Sequence, residues 1–175
     1  PMAIAPRTAG VEQEWERLMF ITRKWAQSVG RREDPYLLMA VVGMSLHAVQ
    51  DFYTHSNWVE DPAGKYGLGG PGVASLGYGD HPTWFDIPPQ VRATLTEDKA
   101  VYTGVVGVPR QHSHWREDLN RNLDHGLNKD WPGRPKYEES YVTAYFASRQ
   151  WIRAVRTWLG NEPLWQRAMA LPATA

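Results

Sequence analysis

The sequence predicts an all-α protein: one helical-bundle domain over residues 1–175, broken once by a long irregular insertion at about 61–110. Three observations carry that reading. Apolar residues recur at helical spacing over 11–29 and 135–159, and a glycine follows each stretch. A proline-free, largely apolar stretch at 36–57 follows an Asp-Pro pair. Residues 61–90 hold seven glycines and five prolines, a density that no helix survives.

The first helix places Val11, Trp15, Leu18, Thr22, Trp25 and Val29 on one face, with Glu12, Glu14, Glu16, Arg17, Arg23 and Lys24 around the rest of the wheel. Gly30 is its expected stop. Asp34-Pro35 then supplies an N-cap and a first-turn proline for a second helix reaching about Asn57. That helix is apolar nearly all round up to Leu46, as expected of a central helix packed on several sides. The run from 36 to 46 is too short to span a bilayer. Within the insertion, Tyr66, Tyr78, Trp84 and Phe85 favour an ordered lid or binding loop over a floppy linker. Residues 91–96 and 100–108, rich in Val and Thr, read as a small β-hairpin around Glu97-Asp98-Lys99. Trp115, Leu119 and Leu123 set a short helix within 111–124, and Trp131-Pro132-Gly133 breaks the chain again. A long helix runs from Pro135 to Leu159, with Tyr141, Ala144, Tyr145, Ser148, Trp151, Ile152, Val155 and Trp158 as its buried stripe and Gly160 closing it. A short helix over 162–170 is the last element.

Nineteen basic and nineteen acidic residues leave no net charge, so composition makes neither a nucleic acid nor an anionic membrane an obligatory partner. Cysteine is absent, which excludes disulfides, thiolate metal sites and cysteine nucleophiles, and leaves His, Asp, Glu and main-chain groups for any transition metal. The first residues, PMAIAP, lack the two halves of a signal peptide, and Pro1 before Met2 reads as the remnant of a cleaved tag. The compartment stays open between cytoplasmic and secreted. Nine tryptophans and eight tyrosines point to a core filled with large rings or to a site walled by them. There is no GxGxxG after a strand and no GxxxxGK[ST], HExxH or GxSxG pattern, which argues against dinucleotide, P-loop, zincin and serine-hydrolase chemistry.

The densest chemistry lies in LHAVQDFYTHSNWVE, residues 46–60. On a continuous helix His47, Asp51 and His55 follow one another at about 40° offsets, so all three share one face. Imidazole nitrogen and carboxylate oxygen are zinc ligands, and a helix holding them a turn apart positions them before the ion arrives. Glu60, and Asn57 with its amide, are candidates for a general base or an outer shell of hydrogen bonds. The plainer alternative is a His–Asp surface pair worth a few tenths of a kcal/mol. Weaker concentrations occur at His112, at His114 with Asp118, at His125 with Asp130, and at Asp80-His81. Arg134 could clamp a phosphate or simply cap a helix.

The string GMSLHAVQDFYTHSNWVE at 43–60 resembles the motif of the heterokaryon-incompatibility Het-C family, in which a helix carries a His, an Asp and then His-Ser-Asn-Trp-Val-Glu. LNKDWPGRP at 127–135, with the helix after it, is similar to that family's second block, and the two blocks cover roughly a third of the chain. That family is similar in turn to the zinc-dependent phospholipases C and the single-strand-cleaving fungal nucleases, all-helical enzymes that cut phosphodiesters with three zinc ions. Matched residue by residue, the resemblance implies His47, Asp51 and His55 as ligands. Those enzymes set the aspartate and the second histidine roughly two residues further apart, about 200° around a helix. They also use a tryptophan at the mature N-terminus and an early histidine as ligands, and here no histidine precedes His47. Their later His-xxx-Glu pair is matched only approximately, by His114 with Asp118 or His125 with Asp130. The departures leave the count open from one to three zinc ions, or none.

The expected function is therefore a zinc-dependent hydrolase of phosphodiester bonds, phospholipase C-like or nuclease-like. Its metal ligands are drawn from His47, Asp51, His55, His125 and Asp130, with Glu60, Asp130 or His125 as acid or base. The implied partner is a phosphodiester or phospholipid substrate, met at a membrane surface in the lipid case, with Trp84 and Phe85 as apolar wall or stacking platform. The alternatives are a non-enzymatic Het-C-like recognition or toxin module, and a metalloenzyme of another reaction class. Oligomeric state is left open.

Overall fold

The computed structural model describes residues 11–59, 82–90, 92, 101, 128–134 and 136–171. Among them the chain is all-helical, as the sequence predicts: α1 (Val11–Arg32), α2 (Pro35–Thr54), a 3-10 turn at Trp84–Asp86, α3 (Tyr137–Leu159) and α4 (Glu162–Met169). Of the expected β-hairpin only residues 92 and 101 are described, and the Arg92 N–H donates to the Pro88 carbonyl at 3.1 Å in a helical turn; the helix within 111–124 and most of the insertion lie outside the described residues. No helix among those described is long and apolar enough to cross a membrane.

Helix α1 has Glu12 and Glu14 in its first turn and Arg31 and Arg32 in its last, complementing the helix dipole at both ends. Its buried face is Val11, Trp15, Leu18, Thr22, Ala26 and Val29. Trp25, expected inside, is exposed. Positions 25 and 26 both continue the helical repeat, and the smaller side chain turns inward where α2 and α3 pack on α1. Gly30 does not stop the helix, which runs on to Arg32 and closes with Glu33 in the left-handed region (φ 56°). The glycine permits a close approach instead. A Cβ at residue 30 would lie 3.0 Å from the Leu159 carbonyl oxygen and 3.4 Å from Leu159 Cδ1.

Helix α2 starts as expected, with Asp34 Oδ1 accepting the N–H groups of Tyr36 and Leu37 at 2.9 and 3.0 Å. It packs against α1, α3 and α4, so it is central, but not on every side: Tyr36, Met39 and Met44 are exposed. Helix α3 runs antiparallel to it, as three polar links show. Ser140 Oγ donates to the Tyr53 carbonyl (2.9 Å), Gln50 Nε2 to Ser148 Oγ (3.2 Å) and Trp151 Nε1 to Ser45 Oγ (3.0 Å). The face of α3 that meets the core is built largely from small residues, Ser140, Thr143, Ala144, Ala147 and Ser148, ahead of Trp151, Val155 and Leu159. Tyr141 and Tyr145, expected in that stripe, are exposed. Along 140–148 the small side chains Ser140, Ala144 and Ser148 take the buried positions, and Tyr141 and Tyr145, next to them on the wheel, face outward. Gly160 (φ 62°) closes α3, and Asn161 Oδ1 caps α4 by accepting the Leu164 N–H at 3.0 Å.

Aromatic rings fill the centre. Trp15 stacks on Trp84 (centroids 5.6 Å, 10° between planes) and meets Phe52, Phe85 and Trp151 edge-on. Trp84 is thus a core residue, and Phe85, half-buried, packs on Trp15 and Trp151. The turn that carries them is pinned from several directions: Tyr53 Oη accepts the Trp84 N–H (2.9 Å), Asp86 accepts the Thr83 N–H (2.9 Å), and Gln150 Nε2 donates to Asp86 Oδ1 (2.7 Å).

Candidate functional site at the end of helix α2

Helix α2 ends at Thr54 rather than near Asn57, and the reason is burial. Had the helix continued, Trp58 would lie about 20° around the wheel from both His47 and Asp51, on the exposed face. The chain instead breaks at His55 (φ −124°, ψ 17°), whose N–H still donates to the Asp51 carbonyl at 2.9 Å. Every residue from 55 to 59 is then buried. Ser56 Oγ accepts the Trp58 N–H (3.2 Å) to shape the turn, and Trp58 Nε1 donates to the Pro82 carbonyl (2.7 Å). Placing the indole among Phe52, Tyr53 and Trp84 removes an area worth about 4–6 kcal/mol as an upper estimate, more than the last helical turn would contribute.

The second motif block docks on this break. The Lys129 N–H donates to the Thr54 carbonyl (3.1 Å) and Lys129 Nζ to the Ser56 carbonyl (2.8 Å), satisfying acceptors at the helix end. Asn128 Oδ1 accepts the Asp130 N–H (3.0 Å), and Arg134 Nε donates to the Asn128 carbonyl (2.8 Å). Gly133 (φ +92°) makes the turn between them. Arg134 is buried beneath Trp131, its guanidinium carbon 4.7 Å from the ring centroid. It holds the loop together and is not presented as a phosphate clamp.

These contacts sort the predicted site residues into two pairs. His55 Nε2 lies 3.2 Å from Asp130 Oδ1, with side-chain exposures of 8% and 43%. His47 Nε2 lies 3.2 Å from Asp51 Oδ2, with exposures of 71% and 44%. The single face expected of His47, Asp51 and His55 does not form, because the helix breaks one residue before its third member. His55 turns instead to a carboxylate from the other block. Among the described residues no three His, Asp or Glu side chains gather as a metal-holding group. Glu60, His125, His112, His114, Asp118, Asp80 and His81 lie outside the described residues.

The two pairs have a zinc-compatible donor set. With ligand bonds of about 2.0–2.2 Å in a tetrahedron, adjacent donor atoms stand about 3.3–3.5 Å apart. Both 3.2 Å separations fall close to that edge and equally within the range of an ordinary imidazole–carboxylate contact. Only imidazole nitrogen and carboxylate oxygen are needed. Nearby, burial pushes the Tyr53 hydroxyl well above the ordinary phenol range, despite the Trp84 N–H that it accepts. It therefore stays neutral and structural. Lys129 and Asn128 carry the docking but have no signal as isolated letters.

Comparison with protein-family models, with curated proteins and with solved structures finds no match.

Proposed function

We propose that the protein is a metal-dependent hydrolase of phosphodiester bonds, zinc being the metal its donors suit, with its centre at the C-terminal end of α2. The observation that supports this reading best is the His55–Asp130 pair. Two blocks far apart in sequence, both resembling Het-C motifs, meet there so that a buried imidazole faces a half-exposed carboxylate at a ligand–ligand distance. His55 and Asp130 would hold the ion, and His47 with Asp51 offers a second, more open pair a turn away. His125 and Glu60 remain candidates for further coordination or acid–base work. A divalent ion in such a place supplies Lewis acidity toward a phosphoryl oxygen and brings hydroxide within reach near neutral pH. The chain's own part is to keep His55 dry and held beside Asp130.

Untagged protein loaded with zinc and dialysed should retain about one ion or more per chain by elemental analysis. Folded H55A and D130A should lose at least one of them. The loaded protein should hydrolyse one of bis-p-nitrophenyl phosphate, phosphatidylcholine or single-stranded DNA. Retained zinc without hydrolysis of any of the three refutes the phosphodiesterase and turns the reading to a metalloenzyme of another class. Absence of both leaves the recognition-module alternative.

A further inference from the structure

Lys129 is 1% exposed, a placement that lysine almost never takes without a reason. Taking an ammonium out of water costs several kcal/mol, offset only where its donors are engaged. Its Nζ donates to the Ser56 carbonyl at 2.8 Å, and its main-chain N–H donates to the Thr54 carbonyl at 3.1 Å. Those carbonyls belong to the residues immediately before and after His55. The next residue along the lysine's own chain is Asp130, whose Oδ1 meets His55 Nε2 at 3.2 Å. Lys129 thus grips His55 from both sides through the backbone while its neighbour reaches the ring.

We infer that Lys129 is a positioning residue: its side-chain grip on the Ser56 carbonyl sets where the His55 imidazole points and keeps it on Asp130. The alternative is a lysine that only stabilises the end of α2, as a basic group at a helix C-terminus does. That role would change the melting temperature and leave the ring of His55 where it is. The main-chain bond from the Lys129 N–H persists whatever side chain stands at 129, so a substitution isolates the contribution of Nζ. The use of this positioning for zinc rests on the hydrolase reading; the positioning itself does not.

The test is Lys129→Met, which keeps an unbranched stem of similar length and removes the donor. In folded, nitrogen-15-labelled K129M, the His55 ring signals should move away from their wild-type positions toward those of D130A. Zinc affinity at the centre should fall roughly 10- to 100-fold, the range for loss of a group that orients a ligand. Wild-type His55 signals in folded K129M overturn the inference. Should K129M not fold, the decisive measurement is the scalar coupling across the hydrogen bond from Lys129 Nζ to the Ser56 carbonyl carbon in the wild-type protein: its presence supports the grip and its absence overturns it. If the wild type takes up no zinc while the His55 signals still respond to K129M, the hydrolase reading falls and the positioning role stands.

Discussion

Replacing Trp84 by alanine separates a core ring from a substrate wall. The side chain is 1% exposed, with ring centroids 5.6 Å from Trp15, 5.7 Å from Trp58 and 5.9 Å from Phe52. The Arg92 guanidinium carbon lies 5.5 Å from the ring. A tryptophan buries about 150–250 Å², which at about 25 cal/mol per Å² gives an upper figure near 4–6 kcal/mol. Measured Trp-to-Ala losses in cores run about 3–5 kcal/mol, since the surrounding rings collapse only partly into the cavity. The main-chain bond from Trp84 N–H to Tyr53 Oη survives the change and adds nothing to the loss. Against a total stability of about 5–15 kcal/mol, W84A should lose about a fifth or more. In a chain of this size, about 2–4 °C per kcal/mol lowers the melting temperature by about 6–20 °C. Urea denaturation followed by far-ultraviolet circular dichroism measures it, because the substitution alters tryptophan fluorescence directly. A W84A protein within about 1 kcal/mol of wild type that binds substrate or vesicles less well would refute the packing argument and restore Trp84 to a site wall.

Two glycines should respond to alanine with opposite sign. Gly43→Ala meets nothing within 4 Å and should stabilise α2 by about 0.5–1 kcal/mol in urea melts. Gly30→Ala sets a Cβ 3.0 Å from a main-chain oxygen; overpacking of about 1–3 kcal/mol outweighs a helix-propensity gain near 1 kcal/mol, so it should destabilise, and a G30A protein more stable than wild type would show that the α1–α3 approach yields. Tyr53 predicts an alkaline effect. Its hydroxyl proton is held more tightly folded than unfolded, so its contribution is intact below the ordinary phenol value near 10 and is lost as pH rises above it, at up to about 1.4 kcal/mol per pH unit. Urea melts between pH 9 and 11 should show that decline, lessened in Tyr53→Phe; the same slope in both proteins would assign it to other groups.

Much of the fold is legible in local chemistry. Asp34 before Pro35 and Gly160 after Leu159 act over a few bonds, and each does in the structure what its residue type implies. The phase of the buried stripes is less legible. Trp25, Tyr141 and Tyr145 are as hydrophobic as their neighbours, yet they are outside because the helix they sit on packs closely through Ala26, or through Ser140, Ala144 and Ser148. Helical periodicity ranks both sets equally, and only the distance to the neighbouring helix separates them. Gly30 has the same ambiguity, since a stop and a close approach look alike in one dimension.

The candidate site divides along the same line. The sequence by itself determined the all-helical class, the Asp34 and Gly160 caps, and the blocks that hold the histidines and carboxylates, because propensity, capping and pattern are properties of neighbouring residues. Which of those groups face one another was decided only by the tertiary structure. Burying Trp58 outweighs one more turn of α2, so the helix breaks at His55 and its ring leaves the line of His47 and Asp51. Lys129 then brings Asp130 to that ring from a block distant in sequence. Contacts of that kind depend on the free energy of the assembled core, which no single stretch of sequence contains.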